Sequence, residues 1–305
     1  MNKIVCLLPL ALALAACGST DAPAPPANVP VKAPELDQPA QPTPPQNAQE
    51  AAASKLDRAL AGEWRSDTNK ARDQYRHPKQ TLEFFGVKPT DTVIEITPGA
   101  GWYTEVLAPF LKDSGHLIAA VAADSSSDYA KSSNEAYRAL LQKDAAAFGE
   151  VGLVEFDPKA PVLGPAGSAD SVLTFRNVHN WAMSGTAPAM FKAFFEVLKP
   201  GGTLGVADHR AAADAQFDKV KDSGYLPQDY VIKLATDAGF QLVAQSEINA
   251  NPADTKDHPK GVWTLPPTFA MGEQDHAKYQ AIGESDRMTL KFVKPAGDGI
   301  FKTKD

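Results

Sequence analysis

Cysteine is nearly absent from this chain, and the two that occur, Cys6 and Cys17, both stand close to its start. The rest of the chain therefore has no disulfide, no thiol nucleophile and no cysteine-based zinc site. Long hydrophobic runs are also lacking, because the apolar stretch at residues 4–14 is too short for a membrane span. Lysine and arginine form no cluster and the formal net charge is −7, which argues against a nucleic-acid substrate.

The first residues have the layout of a secretory signal. Lys3 precedes the apolar run, and small residues precede Cys17. The letters L-A-A-C at residues 14–17 resemble the lipobox of bacterial lipoproteins, which implies a signal peptide at residues 1–16 and a lipid on Cys17. Because no aspartate follows the cysteine, the same resemblance implies the outer membrane of a Gram-negative envelope, with the domain facing the periplasm. An ordinary signal peptide cleaved elsewhere is the alternative.

Residues 17–49 predict a spacer rather than a domain. Residues 18–49 contain nine prolines among Ala, Gln, Thr and Asn, with almost no large apolar side chains. Such a composition cannot bury enough surface to fold, so this stretch is predicted to be a disordered linker. Residues 50–305 are long enough for one large α/β domain with a substantial core.

Residues 92–101, T-V-I-E-I-T-P-G-A-G, are the stretch around which that domain is organised. The β-branched run predicts a buried strand, and Gly, Ala and Pro then predict a tight loop. A helix is predicted from about residue 102 to 111. Strand, loop and helix N-terminus together form a site where backbone N–H groups face an anionic group, and Gly99 and Gly101 allow a ligand to approach the backbone.

Further strands and helices alternate along the chain, which predicts a parallel sheet covered by helices on both faces. An amphipathic helix is expected at residues 134–148, with Asn134 as its N-cap. The other predicted strands are 115–121, 151–157, 169–175, 198–207, 241–243 and 287–293, and the other predicted helices are 50–60, 66–76, 79–85 and 227–239.

Four segments carry a family resemblance. They are E-I-T-P-G-A-G, F-D-P, A-D-S-V-L-T-F-R-N-V-H-N-W and L-K-P-G-G-T-L, in that order. Over residues 82–295 the chain resembles the class I S-adenosylmethionine-dependent methyltransferases, and within them a bacterial group of predicted methyltransferase-like lipoproteins. The resemblance implies a Rossmann-like, seven-stranded, mostly parallel sheet whose last strand is antiparallel, with helices on both faces. It also implies S-adenosylmethionine as cofactor.

The same resemblance assigns cofactor contacts. Asp124 would reach the ribose or else begin a turn, and Asp157 would contact the adenine or else be a turn aspartate. Pro98 and Val121 depart from the common pattern, since Pro98 removes an N–H donor from the loop and Val121 stands where a carboxylate is usual. The residues expected at the methionine half are Glu95, Thr97, Gly99 and Gly101.

A polar cluster, R-N-V-H-N-W, follows the predicted strand at residues 169–175, at the sheet edge where open α/β folds bind ligands. His179 is either a general base or a structural histidine bonded to a neighbouring loop. Asn177 and Asn180 would orient substrate or cofactor. His209 ends a neighbouring strand on the same edge and is a second candidate for acid/base chemistry. No metal site is predicted.

The leading hypothesis is methyl transfer from S-adenosylmethionine to a small or envelope-associated acceptor, by a protein anchored in the membrane through Cys17. The first alternative is a methyltransferase-like fold without transfer activity that binds a small molecule or a protein. A cofactor-independent enzyme that uses His179 or His209 is the other alternative.

Overall fold

The computed structural model describes residues 46–296. The predicted signal peptide, lipidated Cys17 and most of the predicted linker lie outside this range. Helix α1 begins at Gln46, so the last four residues of the predicted linker, 46–49, are helical. Among the described helices, none is long and apolar enough to cross a membrane.

A single mixed sheet of seven strands organises the described residues. Its strand order is 3-2-1-4-5-7-6, and β7 is antiparallel to both of its neighbours while the remaining pairs are parallel. This confirms the fold class and the antiparallel last strand predicted from sequence. The strands are β1 Thr92–Ile96, β2 His116–Ala122, β3 Gly152–Phe156, β4 Ala169–Phe175, β5 Leu198–His209, β6 Gln241–Ser246 and β7 Arg287–Val293.

Helices connect the strands and cover both faces of the sheet. They are α1 Gln46–Ala61, α2 Asp67–Lys70, α3 Asp73–Arg76, α4 Pro78–Phe85, α5 Thr104–Leu111, α6 Asp128–Lys143, α7 Ala145–Phe148, α8 Val178–Ser184, α9 Ala187–Val197, α10 Phe217–Val220, α11 Gln228–Asp237 and α12 His276–Ile282.

The central strand β1 faces a different apolar cluster on each side of the sheet. Ile94 and Ile96 belong to the cluster that includes α8, α9 and α11, whereas Val93 belongs to the cluster that includes α1, α4 and α5. Side chains alternate along a strand, so Glu95 points to the same side as Val93. Each large apolar side chain in these clusters contributes about 1.5–3 kcal/mol by leaving water.

Helix α6 begins earlier than the sequence predicted, so the prediction of Asn134 as its N-cap is wrong. The N-cap is Ser127, whose hydroxyl accepts a hydrogen bond from the backbone N–H of Ala130. Asn134 is buried inside the helix and donates to the carbonyl of Ala122 over 2.8 Å. The early turns of α6 carry mostly polar, exposed residues, so no apolar stripe marks their helical character in the sequence.

Residues 247–286, between β6 and β7, form a long excursion that includes a 3-10 turn at Gly261–Thr264 and helix α12. Arg210, just beyond β5, ties this excursion to the sheet through Glu247 at 2.6 Å and Asp286 at 3.0 Å. The excursion therefore returns to the edge where the parallel strands end.

Candidate active site

Two adjoining cavities lie at the carboxyl ends of the parallel strands. The first has a volume of about 330 Å³ and is lined by residues from β1, β4, β5, the N-terminal helices and the 247–286 excursion. The second, about 640 Å³, extends past the ends of β2 and β3. Both volumes are in the range of small-molecule sites. The two cavities share the residues Thr97, Pro98, Gly99, Tyr129, Ser133 and Asn180.

The loop after β1 turns sharply between the cavities. Thr97 and Gly99 both have positive φ, 49° and 60°, and the N–H of Thr97 donates to the carbonyl of Ala120 over 2.7 Å. A Cβ atom placed on Gly99 would have no other heavy atom within 4 Å. The backbone at Gly99 is therefore open to the cavities, as the sequence predicted for a ligand contact.

Gly101 packs against α6. It lines neither cavity, and a Cβ at this position would lie 2.1 Å from Leu140 Cδ2 and 3.3 Å from Tyr137 Cε2. Its positive φ of 78° also favours glycine. Gly101 is thus needed for the close packing of the loop against α6, and its contact with a cofactor stays a prediction.

Glu95 is a buried carboxyl at the wall of the first cavity, with 2% of its surface exposed. It accepts a hydrogen bond of 2.6 Å from the hydroxyl of Thr104, which lies in the first turn of α5. Burial raises the pKa of Glu95 to about 7, although the Thr104 hydrogen bond opposes the rise. The structure therefore places Glu95 where the sequence expected a cofactor ligand.

Asp124 lines neither cavity and begins a 3-10 turn, Asp124–Ser126, which is the alternative that the sequence left open, whereas its contact with a ribose stays a prediction. Its carboxylate accepts from Asn134 Nδ2 over 2.7 Å and forms a salt bridge of 3.1 Å with Arg138. The hydrogen bond from Asn134 lowers the pKa of Asp124 most, and the hydrogen bond from Arg138 lowers it further. Both partners lie in α6, so this helix holds the Asp124 carboxylate in place.

Asp157 lies at the wall of the second cavity and also stabilises a turn. Its Oδ1 accepts from the backbone N–H of Lys159 over 2.9 Å. Val121, at the end of β2, lines the same cavity. The wall that would face a ribose is therefore apolar at Val121.

Asn177 connects the end of β4 to the loop after β1. It is buried, and its Nδ2 donates to the carbonyl of Ile96 over 2.9 Å. It lines the first cavity, as predicted, but its amide nitrogen already stabilises the backbone of the site. Asn180, one turn into α8, is exposed and borders both cavities.

His179 and Asp208 form a buried hydrogen-bonded pair. The Nδ1 of His179 lies 2.8 Å from Asp208 Oδ1, and Asp208 Oδ2 accepts from the backbone N–H of Val178 over 2.7 Å. Asp208 therefore caps the start of α8 while it orients the imidazole. A carboxylate on Nδ1 favours the tautomer with the proton on that nitrogen, which leaves Nε2 as the basic nitrogen.

His209 lies beside this pair and is held neutral. Its Nδ1 is 2.5 Å from Ser285 Oγ, and its ring centroid is 4.8 Å from that of His179. Burial lowers the pKa of His209 well below its usual value, and the neighbouring His179 and Arg176 lower it further. His209 is thus suited to a hydrogen-bonding role and not to proton uptake.

Three residues of this cluster could hold a metal ion, because ligand atoms of His179, Asp208 and His209 lie within 4.8 Å of one another. Asp208, however, already accepts hydrogen bonds from the backbone of Val178 and His209 and pairs with His179. With its carboxylate engaged in this way, the geometry favours an acid/base cluster over a metal site.

The sequence did not predict a group of arginines around Glu284 in the first cavity. In the sequence, Arg76 is only the last residue of a predicted helix, 66–76, and Arg176 is only a member of the polar cluster. Arg76 and Glu284 are 208 residues apart in the chain, and no local pattern signals such a pair.

No family model matches the chain, and no curated protein matches it. A solved structure of the [4+2]-cyclase SpnF is 16% identical with a TM-score of 0.51, covering 83% of this chain and 96% of that chain. One described as a sarcosine dimethylglycine methyltransferase from Galdieria sulphuraria is 12% identical with a TM-score of 0.51, covering 74% of this chain and 87% of that chain.

The strand order and these two likenesses identify the fold. The chain has the Rossmann-like fold of class I methyltransferases, with its seven-stranded sheet and antiparallel last strand. At such low identity the likeness establishes the fold alone, so the reaction has to be argued from the site.

Proposed function

We propose that this protein is an S-adenosylmethionine-dependent methyltransferase. The observation that carries the proposal is the pair of cavities that meet at the open backbone of Gly99, with the buried carboxyl of Glu95 and the imidazole of His179 in the lining of the first cavity. A ligand with a cationic amino group at one end and a nucleoside at the other matches this shape and chemistry.

The residues present fit the cofactor, with two exceptions. Glu95 would bind its ammonium group, Gly99 would allow close approach of the methionine half, and Asp157 would lie near the adenine. Val121 offers no carboxylate to a ribose, and Pro98 offers no N–H to a carboxylate. These two positions weaken individual contacts but obstruct neither cavity, since both residues form part of the walls.

When bound, the cofactor would supply a methyl group on a sulfonium sulfur: the acceptor's lone pair would bond to the methyl carbon as the carbon–sulfur bond breaks in line, and S-adenosylhomocysteine would leave. The protein's own contribution is to align the acceptor and to remove its proton. His179 Nε2 takes the proton that a hydroxyl or amine acceptor loses, and Asp208 stabilises the imidazolium that forms. His209, kept neutral by burial, holds Ser285 in place beside the acceptor.

The competing proposal is a binding protein that keeps the fold without the transfer. Val121 and Pro98 favour it, and the name of the SpnF structure shows that this fold also carries a cyclase. In that case the His179–Asp208 pair would position a ligand instead of accepting a proton.

Isothermal titration calorimetry with S-adenosylmethionine and S-adenosylhomocysteine tests the cofactor site. Gly99→Leu should abolish binding, because its side chain would enter the shared part of the cavities. Gly167→Leu is the matched control, since Gly167 also has a positive φ, 66°, and free space around it but lines neither cavity. Absence of binding by the folded wild-type protein, or equal loss in both variants, would contradict the proposal.

The acceptor is proposed to be a small or envelope-associated molecule, and the protein to be anchored through Cys17 to the outer membrane, facing the periplasm. The lipobox-like sequence supports this location. Replacing Cys17 with serine should abolish labelling by a radioactive fatty acid and release the protein from the membrane fraction. Retention of label in the variant would refute the anchor.

A further inference from the structure

Three arginines converge on one buried carboxylate in the first cavity. Glu284 lies 2.7 Å from Arg72 Nε, 3.1 Å from Arg76 Nε and 3.1 Å from Arg287 NH1. Arg72 is the N-cap of α3, Arg76 ends that helix and Arg287 begins β7, whereas Glu284 lies near the end of the 247–286 excursion. Burial by itself would raise the pKa of Glu284. The surrounding guanidinium groups outweigh this effect, with Arg76 contributing most, and lower the pKa to about 2. Glu284 is therefore fully ionised.

A fourth arginine, Arg176, points into the same cavity without a partner. Within residues 46–296 its side chain makes neither a salt bridge nor a hydrogen bond, although it lines the cavity together with Arg72 and Arg76. Its backbone has a positive φ of 61°, and its N–H donates to Ala207 over 2.8 Å, so the loop holds it in this place. Burial lowers the pKa of Arg176 to about 10, which still leaves it charged at neutral pH.

Individual N–H groups in this cluster are also unsatisfied. Among the described residues, Arg72 NH2 and Arg76 NH2 are buried and have no hydrogen-bond partner. Leaving a buried charged donor unpaired costs on the order of 1–3 kcal/mol or more. A purely structural role explains the contacts of Arg76 and Arg287 with Glu284, which fasten α3 to the start of β7. It does not explain the free groups of Arg72, Arg76 and Arg176, which all line one cavity.

The excess of positive charge in the cluster indicates which kind of ligand would bind there. One carboxylate, Glu284, is in contact with three arginines, and Arg176 adds a further positive charge. An oxyanion fits such a site, because guanidinium groups bind carboxylate and phosphate oxygens with two parallel hydrogen bonds. S-adenosylmethionine carries one negative charge, on its carboxylate, and two positive charges, on its ammonium and sulfonium groups. Its net charge is therefore positive, so it would not balance the positive charge of the arginines.

The position of the cluster also favours the acceptor as the source of the anion. Ser285, next to Glu284, contacts His209, which lies beside His179. The arginines therefore lie on the side of the cavity where the proposed base faces the acceptor. We propose that Arg72, Arg76 and Arg176 bind an oxyanion group, a carboxylate or a phosphate, of the methyl acceptor. This inference rests on the proposed function, because it identifies the substrate class of the same site.

The test is calorimetric titration of inorganic phosphate and of malonate into the protein, alone and saturated with S-adenosylhomocysteine. At least one of the two anions should bind, and Arg176→Gln should weaken that binding by about tenfold or more. Arg58→Gln is the matched control, since Arg58 is exposed on α1, donates a hydrogen bond to Ser54 Oγ and lines neither cavity. The control should bind the anion as the wild type does.

Arg176→Gln is the most informative variant because it removes no hydrogen bond within the described residues. Its melting temperature should equal or exceed that of the wild type, while anion binding is lost. A merely structural arginine would show the opposite, a fall in stability. Arg72→Gln, whose side chain is 20% exposed, provides a second variant that should also weaken anion binding.

Three results would overturn the inference. They are binding of neither anion to the wild type, undiminished binding by Arg176→Gln and Arg72→Gln, and competition between the anion and S-adenosylhomocysteine. Competition would assign the cluster to the carboxylate of the cofactor. If S-adenosylhomocysteine fails to bind while phosphate or malonate binds through the arginines, the proposed methyltransferase function falls and the anion site stands.

Discussion

Replacing Glu95 with glutamine should stabilise the protein at alkaline pH and weaken its affinity for S-adenosylhomocysteine. Glu95 is buried and accepts a hydrogen bond from Thr104, and in the absence of a cationic ligand no lysine or arginine side chain of residues 46–296 pairs with it. The ionised form is therefore poorly solvated. A neutral amide of nearly the same shape keeps an oxygen for Thr104 and removes the buried charge.

The size of the effect follows from the pKa of Glu95. Burial raises it from 4.5 to about 7, and each tenfold change in the ionisation constant corresponds to about 1.4 kcal/mol, so the ionised carboxylate costs about 3 kcal/mol above pH 7. Below pH 4.5 the folded and unfolded states both hold the proton. Between these values only the folded state holds it, so stability falls as the pH rises and the loss is complete above about pH 7.

Urea unfolding at pH 4.5, 6, 7 and 8.5 measures this difference, at values chosen to bracket the pKa of about 7. Glu95→Gln should lose less stability than the wild type over this range and exceed it at the alkaline end. Affinity for S-adenosylhomocysteine at the alkaline end should fall by about tenfold or more, because a charged hydrogen bond to the ammonium is lost. Glu83→Gln, at an exposed position on α4, is the control. Parallel pH curves for wild type and Glu95→Gln would refute the reasoning.

Two further predictions concern the loop after β1 and the histidine pair. Gly101→Ala should lower the free energy of unfolding by about 2–4 kcal/mol, because alanine is strained at this positive φ and its Cβ would clash with Leu140. Urea unfolding measures the difference, and unchanged stability would contradict the prediction. Asp208→Asn should release the fixed tautomer of His179, seen as a change in its imidazole nitrogen shifts by NMR, and should slow transfer without weakening cofactor binding. Unaltered shifts would show that Asp208 does not orient the ring.

The sheet could be predicted from sequence because its signals are local. Runs such as 92–96 and 169–175 are apolar and β-branched, and the sharp breaks after them mark the sheet edge where the cavities lie. The positions of Glu95, Gly99 and His179 followed from that edge. For these residues the strand and the turn alone determine the location.

The sequence does not show contacts that depend on a distant element. Asp124 follows β2, where a ribose contact is expected, but α6 brings Asn134 and Arg138 to its carboxylate. Gly101 lies in the loop after β1, and α6 packs directly on it through Leu140. These α6 residues all belong to the helix that the sequence predicts at residues 134–148, but no local pattern shows which loop residues that helix contacts.

Much of the wall of the first cavity comes from elements outside the sheet. The sheet edge supplies Glu95, Gly99 and the His179–Asp208 pair, whereas α2, α3 and the 247–286 excursion form the other wall of the first cavity. One of the two structures matched at a TM-score of 0.51 bears the name of a cyclase and the other that of a methyltransferase, so the shared sheet leaves the reaction open. Under the proposed function, we expect the wall built by the helices and the excursion to determine which acceptor can enter. Because that wall carries the buried NH2 groups of Arg72 and Arg76 without hydrogen-bond partners, and faces Arg176 from the sheet edge, we expect it to favour an anionic ligand, independently of how the methyl group is supplied.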